Sequence, residues 1–183
     1  LGVWQIKWQL EDLAFRFLQP EVYRRLAKAL QQSRTERIEY LDKFQNILRE
    51  ALAEEGVTGE VAGRAKHLYS IWRKMQKKHL EFDELFDVRA VRILVDNVAD
   101  CYAALGAVHS RWQYIRGEFD DYIATPKENG YRSLHTAVIG PGGHVVEVQI
   151  RTHDMHNRAE LGVAAHWRYK EGRGHDAAFD QKI

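Results

Sequence analysis

The sequence predicts an α/β domain, a mixed sheet flanked by helices, with a helical segment in front of it. Apolar residues near the N-terminus recur at three- and four-residue spacing, as they do along one face of a helix. After residue 57, helical patterns alternate with short runs rich in β-branched residues, which favour strands. Two of these runs are joined by the Gly-Pro-Gly-Gly segment at residues 140–143, which is typical of a hairpin. This order of elements is typical of the α/β class.

The first 56 residues are predicted to form a helical connector or scaffold without chemistry of its own. Their second half places five apolar side chains on one helix face: Ile38, Leu41, Phe44, Leu48 and Leu52. Glu54, Glu55 and Gly56 then supply a helix stop.

The remaining chain divides into a functional domain, residues 57–172, and a polar tail, residues 173–183, leading towards a further region. Two helices and one strand are predicted first, over residues 67–78, 86–95 and 98–112, the strand being the middle one. Strands over 133–139 and 144–151 and a helix over 152–167 follow, and the chain becomes polar and frayed from residue 170.

Composition excludes several classes of protein. Because 27 Lys and Arg face 26 Asp and Glu, the net charge is +1, whereas a dedicated nucleic-acid binder usually has a basic excess. The longest run without a charged side chain, residues 133–146, contains two His, one Pro and three Gly and cannot span a membrane. The single Cys101 fits a reducing compartment. Without a signal-peptide pattern we expect a cytoplasmic domain, and Leu1 in place of Met indicates a piece of a longer protein.

A basic segment follows Gly63. Lys66, Ser70 and Lys74 fall at four-residue spacing and are predicted to form one row on a helix face, with Arg64 just before it. Such a row near a helix N-terminus is a plausible cradle for a polyphosphate. An ordinary solvated basic face remains the alternative.

Two carboxylates suggest a metal site. Asp87 opens the predicted strand over 86–95, where it is either a turn device or a magnesium ligand. Alternation in the last strand places Glu147, Gln149 and Arg151 on one face, and the alternative is a strand with one ordinary wet face. If Asp87 and Glu147 lie on neighbouring strands, they can share a metal ion that bridges phosphate oxygens.

The loop entering the hairpin presents four side chains that suit a nucleotide: Lys127, Asn129, Tyr131 and His135. A tyrosine face can stack on a base, and lysine and histidine can meet phosphates. The remaining histidines, His153, His156 and His166, lack the H-E-x-x-H spacing of a zinc site and are assigned to packing or to the surface.

In order along the chain, these segments resemble the synthetase domain of the RelA/SpoT family of (p)ppGpp synthetases. The matching pieces are GRAKHLYSIWRKM (63–75), FDVRAVRI (86–93), DCYAALGAVH (100–109), EFDDYIATPKENGYRSLHT (118–136), GPGGHVVEVQIRT (140–152) and MHNRAELGVAAHWRYKEG (155–172). The resemblance implies a nucleotidyltransferase-like fold and Mg²⁺ as cofactor. It also implies transfer of pyrophosphate from ATP to the 3′-hydroxyl of GDP or GTP, with release of AMP, in the stringent response.

The resemblance also implies roles for single residues. Asp87 is similar to the family's magnesium ligand, and Glu147 to its partner, which completes the metal site or accepts the 3′-OH proton. Matching positions for ATP are Arg64 and Arg92 around the adenine and Lys66, Ser70 and Lys74 at the phosphates. Matching positions for the acceptor are Tyr131 under the guanine and Lys127, Asn129, His135, Gln149 and Arg151. Asp87 and Arg92 are five residues apart, so a regular strand would direct them to opposite faces unless Asp87 lies at its end.

The segment at residues 118–121 implies a subtype. Glu118, Asp120 and Asp121 match the acidic E-x-D-D of dedicated synthetases, where bifunctional members carry R-x-K-D. We therefore expect a synthesis-only enzyme that prefers GDP to GTP, because carboxylates repel an extra phosphate, unless they recruit a second Mg²⁺.

Two alternatives and several partners follow. The alternatives are a catalytically silent nucleotide-binding fragment and an RNA-binding fragment that uses the basic helix with Tyr69 and Trp72. The resemblance implies that contacts with the ribosome and tRNA belong to regions outside this fragment, and no membrane partner is expected.

Overall fold

The computed structural model describes residues 4–79 and 89–161. This part of the chain opens with α1 (Trp4–Leu18), α2 (Pro20–Gln32) and α3 (Arg34–Glu54). The elements that follow are β1 (Gly59–Gly63), α4 (Leu68–Lys78), β2 (Arg89–Val95), α5 (Val98–Arg111), β3 (Asp120–Asp121), β4 (Leu134–Ile139), β5 (Val145–Thr152) and α6 (His153–Leu161).

The described strands form one five-stranded sheet in the order β1-β2-β5-β4-β3. β2 runs parallel to β5, and the other neighbouring pairs are antiparallel, so the sheet is mixed. The predicted α/β class with a mixed sheet flanked by helices is therefore confirmed.

The two faces of the sheet differ in chemistry because side chains alternate along each strand. One face carries apolar residues such as Val91 and Ile93 of β2 and Val148 of β5, which are buried. α3 and α5 cover this face, and Phe44, Leu48 and Val108 belong to the same core. Burial of these side chains is the main source of stability for a sheet covered on one side. The other face is polar and holds the candidate site.

Most predicted elements are confirmed within a few residues. The N-terminal segment is helical, and α3 ends at Glu54, before Gly56 with a φ of 68°. α5 matches the helix predicted over 98–112, and β4 and β5 form the predicted hairpin. β2 begins at Arg89, and residues 86–88 of the predicted strand lie outside the described residues. The same holds for the predicted helix beyond Leu161 and for the polar tail.

The sequence analysis missed β1. Its Gly-Glu-Val-Ala-Gly sequence lacks a strand pattern, and tertiary pairing with β2 decides its conformation. A Cβ added at Gly59 would lie 2.9 Å from the carbonyl oxygen of Leu94 and 3.0 Å from Val95 Cγ1. The absence of a side chain is therefore what allows β1 to approach β2 here. Among the described helices, none is long and apolar enough to cross a membrane.

Gly59→Ala is expected to lower the free energy of unfolding by about 1–3 kcal/mol, because the new methyl group would crowd the backbone of β2. Urea denaturation followed by circular dichroism measures this. The control is Gly106→Ala in the middle of α5, where nothing lies within 4 Å of an added Cβ. That change should raise the stability by about 0.5–1 kcal/mol, because alanine is the better helix former. Equal stabilities of the two variants would contradict the close approach of β1 to β2.

Candidate active site

The candidate site is centred on Glu147 of β5, on the polar face of the sheet. Its carboxylate accepts hydrogen bonds from Arg64 Nη1 at 2.7 Å and from Lys66 Nζ at 2.6 Å. Both cations follow β1 directly, and the Arg64 backbone N–H still donates to the carbonyl oxygen of Ala90 on β2, at 2.8 Å. The strand that the sequence analysis missed therefore delivers both cations to the carboxylate.

Small residues flank Glu147 on both neighbouring strands. Ala90 of β2 and Ala137 of β4 are its partners in register, and both are buried. Side chains of register partners lie on the same face of a sheet, about 5 Å apart. Alanine at both positions leaves room above the sheet for the long side chains of Arg64 and Lys66.

The sequence analysis predicted that Lys66, Ser70 and Lys74 form one row on a helix, and this prediction is wrong for Lys66. α4 begins at Leu68, and its N-cap residue His67 is extended, with φ −78° and ψ 143°. Lys66 therefore precedes the helix, because the chain is still extended after its pairing with β2. Ser70 and Lys74 do lie four residues apart on α4. Lys66 reaches the site from the loop, and its side chain is only 11% exposed.

Burial and neighbouring charges together determine the pKa values of Glu147 and Lys66. Burial alone would raise the pKa of Glu147, but the charges of Lys66 and Arg64 lower it to about 2. The pKa of Lys66 is lowered by burial, and the attraction of Glu147 only partly opposes this. Glu147 is therefore fully ionised at neutral pH, and Lys66 gains less from the pair than it loses by leaving water.

Arg92 lies on the same polar face, next to Gln149. Its Nε donates to Gln149 Oε1 at 2.7 Å, and its Nη2 lies 3.8 Å from Glu160 Oε1. Burial, followed by the repulsion of Arg151 and Arg64, lowers the pKa of Arg92 to about 10. Arg92 thus remains cationic at neutral pH in a cluster of three guanidinium groups. Asp87, the predicted metal ligand, lies outside the described residues.

Gln149 also joins the cluster of predicted acceptor residues. Its Nε2 donates to the Tyr131 hydroxyl at 2.5 Å, and that hydroxyl lies 2.8 Å from His135 Nε2. Burial is the main cause that lowers the pKa of His135 to about 4. His135 is therefore neutral at pH 7, and its Nε2 shares a hydrogen bond with the Tyr131 hydroxyl.

Tyr122 is a member of this cluster that the sequence analysis missed. Lys127 Nζ lies 4.2 Å from the centre of its ring, a cation–π contact. The ring also meets those of His135 and Tyr131 edge-on, with centroids 5.5 and 6.2 Å away. Asn129 has a local role, because its Oδ1 accepts from the Tyr131 backbone N–H at 3.1 Å and shapes the turn. Tyr122 has no distinguishing spacing, so its place in the cluster shows only in the fold.

Two side chains of α6 hold Arg151 in place. Its side chain is 2% exposed, and its Nη2 donates to His156 Nδ1 at 2.6 Å and to Glu160 Oε1 at 3.1 Å. Burial, followed by the charges of Arg151 and Arg92, lowers the pKa of His156 to about 4, so its ring is neutral and accepts. The sequence analysis missed Glu160 as a partner of Arg151. The signal was the four-residue spacing of His156 and Glu160 on the helix that follows Arg151.

The N-terminal helices support α4, which carries Ser70 and Lys74. Asp12 Oδ1 of α1 accepts from the Tyr69 backbone N–H at 2.8 Å, which caps the first turn of α4. Phe15 stacks on Trp72, with ring centroids 5.0 Å apart, and makes a tilted contact with Tyr69. The two aromatic residues of the RNA-binding alternative are thus engaged in packing against α1.

Comparison with known proteins identifies the family of this chain. The family described as the region found in RelA / SpoT proteins matches residues 63–174, and the chain belongs to this family. It is 60% identical over 172 residues to the GTP pyrophosphokinase of Escherichia coli K12, covering 94% of this chain and 23% of that protein. It is 55% identical over 186 residues to the GTP pyrophosphokinase of Photobacterium angustum, covering 100% of this chain and 25% of the relative. The chain thus spans about a quarter of these relatives.

Solved structures share the fold. The small alarmone synthetase 1 of Bacillus subtilis has a TM-score of 0.52 and 26% identity, covering 83% of each chain. The same synthetase bound to its product pppGpp has a TM-score of 0.57 and 24% identity, covering 82% of this chain and 85% of that chain. These similarities support the overall arrangement of sheet and helices.

Glu147→Gln is expected to destabilise the protein by roughly 1–4 kcal/mol, because it removes the carboxylate that Lys66 and Arg64 both contact in a buried site. The double variant Lys66→Met/Glu147→Gln should regain part of this loss, because the buried charge is removed along with its partner. A double-mutant cycle in urea measures the coupling. Strictly additive effects would contradict the buried pair.

The destabilisation by Glu147→Gln should also depend on pH. The pKa of Glu147 in the folded protein, about 2, lies below the ordinary value of 4.5. Its contribution is therefore complete above pH 4.5 and is lost as the pH falls towards 2. The difference in unfolding free energy between wild type and Glu147→Gln should be constant from pH 6 to 8 and shrink below pH 4.5. A difference that grows on acidification would contradict an ionised Glu147.

Proposed function

We propose that this chain is a (p)ppGpp synthetase domain, which transfers pyrophosphate from ATP to the 3′-hydroxyl of GDP or GTP and releases AMP. The observation that supports it most directly is the position of Gln149. Its amide accepts from Arg92, a predicted ATP residue, and donates to Tyr131, a predicted guanine residue. The two predicted nucleotide sites thus meet at one side chain, two residues from Glu147 on the same strand. The names of the relatives, GTP pyrophosphokinase, support the same reaction.

On the donor side, the chain offers cations from three places: Arg64 and Lys66 after β1, Arg92 on β2 and Lys74 on α4. Arg64 and Arg92 hold the adenine between their planar guanidinium groups, which stack well on aromatic rings. Ser70 and Lys74 on α4 and Lys66 in the preceding loop bind the phosphates. This arrangement fixes the β-phosphorus in position for in-line attack, and positioning supplies much of the acceleration of phosphoryl transfer.

Binding of ATP also changes the pKa of Glu147. When Lys66 turns from the carboxylate to an ATP phosphate, Glu147 loses the charge that lowers its pKa most. Its pKa then rises, and the carboxylate becomes a better base for the 3′-OH proton of the acceptor. The 3′-oxygen forms its bond to the β-phosphorus as the bond from that phosphorus to the bridging oxygen of AMP breaks. The cations thus keep the pKa of Glu147 low until they bind ATP.

The carboxylate groups of this site suit Mg²⁺. Magnesium is usually bound by one or two carboxylates together with substrate phosphates rather than by a complete protein cage. Asp87 would hold the ion, and the ionised carboxylate of Glu147 would either complete its coordination or act as the base for the 3′-OH proton. In the described ranges no group of three or more His, Cys, Asp or Glu forms a separate metal site. A bound Mg²⁺ would neutralise charge that develops on the phosphate oxygens.

On the acceptor side, Tyr131 stacks on the guanine, and Lys127 and His135 lie close enough to contact the same nucleotide. Gln149 and Asn129 hold Tyr131 in place through its hydroxyl and its backbone N–H. Arg151 acts through α6, because its side chain is buried against His156 and Glu160. The phenol, the amide and the neutral imidazole form one hydrogen-bonded chain, so the platform for the base is rigid before the acceptor binds.

Finer assignments rest on the family resemblance. We propose that the chain synthesises and does not hydrolyse (p)ppGpp, that it requires Mg²⁺, and that it works in the cytoplasm. Residues 57–172 form the synthetase domain, with residues 1–56 as its helical scaffold and 173–183 as a connecting tail. Contacts with the ribosome and tRNA belong to other regions of the whole protein.

The direct test is incubation with γ-labelled ATP, Mg²⁺ and GDP or GTP, followed by separation of the nucleotides. Label that moves to the guanosine nucleotide with an equal amount of AMP is expected. Release of labelled phosphate alone would indicate ATP hydrolysis and contradict the proposal. Binding of both nucleotides without transfer would favour the catalytically silent alternative.

Glu147→Gln and Asp87→Asn are each expected to lower kcat by roughly two to four orders of magnitude, the range of a lost general base or charge-stabilising group. The matched control is Glu50→Gln, an exposed carboxylate on α3, away from the polar face. It should retain wild-type turnover. Near-normal turnover of Glu147→Gln, in a protein that folds, would remove Glu147 from the reaction.

A further inference from the structure

One side of α1 contacts the segment that carries the predicted phosphate-binding residues. Trp8, Asp12 and Phe15 are four and three residues apart, so they lie on the same side of this helix. Asp12 and Phe15 contact Tyr69 and Trp72 of α4. Trp8 makes a third contact, at the loop that precedes α4. The N-terminal helix thus follows this segment from the loop into the second turn of α4.

The contact of Trp8 is a stack on His67. The ring centroids lie 3.8 Å apart, and the ring planes differ by only 8°. Burial is the largest cause that lowers the pKa of His67, so its ring is neutral at pH 7. The pair is therefore a stack of two neutral aromatic rings, which buries apolar surface and needs no opposite charge.

This stack fixes one end of the loop that carries Lys66. The loop joins β1 to α4 and comprises residues 64–67. Its first residue, Arg64, is tied to β2 because its backbone N–H continues the pairing of β1. Its last residue, His67, is tied to α1 by the stack on Trp8. Lys66 lies between these two fixed points, so the position of its ammonium group depends on both.

α1 also supplies the cap of α4. His67 is the N-cap residue, and the side chain at that position usually accepts from the second or third N–H of the helix. Within the described residues, the His67 ring makes no such hydrogen bond and is stacked on Trp8 instead. Asp12 takes over, because its Oδ1 accepts from the backbone N–H of Tyr69, the second residue of α4, at 2.8 Å. A carboxylate is also the favourable charge at a helix N-terminus.

We propose that Trp8 is a positioning residue of the ATP site, because its stack on His67 holds the loop of Lys66 in the conformation that receives the phosphates. This rests on the proposed function. A loop that is fixed in advance loses less conformational freedom when the phosphates bind, which strengthens binding without a new contact. Trp8 lies outside residues 63–174, the range of the family match, so the ATP site depends on a helix that this range does not include.

Trp8→Leu tests the proposal, because it keeps an apolar side chain and removes the stack. KM for ATP should rise by roughly threefold to tenfold, the factor that corresponds to the loss of one aromatic contact. KM for GDP, and kcat at saturating ATP, should stay within about twofold of the wild type. Trp8→Phe, which retains an aromatic ring, should retain most of the affinity for ATP. An unchanged KM for ATP in Trp8→Leu, or an equal rise of KM for GDP, would overturn the proposal.

A double-mutant cycle shows whether Trp8 acts through His67. The cycle compares Trp8→Leu, His67→Leu and the double variant by their KM for ATP. Because either single change removes the same stack, the two effects should not add, and the double variant should resemble the single ones. Strictly additive effects on KM for ATP would contradict an action of Trp8 through His67.

Loss of stability has its own control in Val108→Ala of α5. Val108 is fully buried in the apolar core, on the other face of the sheet. Its truncation should lower the melting temperature at least as much as Trp8→Leu does and leave KM for ATP within about twofold. A rise of KM for ATP as large as that of Trp8→Leu would mean that lost stability alone explains the effect, and would overturn the proposal.

Binding measurements keep this test separate from the test of the reaction. Calorimetric titration with a non-hydrolysable ATP analogue and with GDP gives dissociation constants without any transfer. A chain that transfers no pyrophosphate, but binds the analogue more weakly in Trp8→Leu, would contradict the proposed function and support the role of Trp8. An active chain whose affinity for the analogue is the same in Trp8→Leu would contradict only the role of Trp8.

Discussion

Glu147 lies on the sheet between two cations that follow β1, and this buried cluster connects strands that are more than 80 residues apart in sequence. A carboxylate leaves water at great cost unless cations and hydrogen bonds compensate it. Arg64 and Lys66 provide that compensation, but burial lowers the pKa of Lys66 in spite of the pair. The cluster therefore adds little stability. It holds two cations in place, and in the proposed reaction these cations exchange the protein carboxylate for phosphate oxygens.

The sheet supports this proposed exchange of ligands by the cations, because one of its faces is apolar and the other is polar. The apolar face, covered by α3 and α5, fixes the register of β2, β5 and β4. A shift of one residue would move the buried valines out of the core, so the polar side chains of these strands have no alternative register. Alanines beside Glu147 then leave space above the carboxylate. Rigid strands and small neighbours thus fix the positions of a set of charged side chains on the polar face.

Around this centre, helices from both ends of the chain hold the cations in position. α6 presents His156 and Glu160 to Arg151, and Glu160 also lies near Arg92. α1 caps and packs against α4, so the segment expected to lack chemistry supports the helix of Ser70 and Lys74. These contacts matter because like charges gather here. Carboxylates and neutral acceptors between the guanidinium groups reduce their mutual repulsion.

Sequence patterns alone were sufficient for the α/β class, the hairpin of β4 and β5, and the face shared by Glu147, Gln149 and Arg151, because these follow from periods of two and 3.6 residues. They also supplied the family motifs. β1 could not be predicted from the sequence, since its five residues form a strand only through pairing with β2. Lys66 was placed on a helix because spacing does not reveal where a strand ends. The roles of Tyr122 and Glu160 depend on contacts that no spacing rule predicts, and only the tertiary structure decides such contacts, because packing and register bring those residues together.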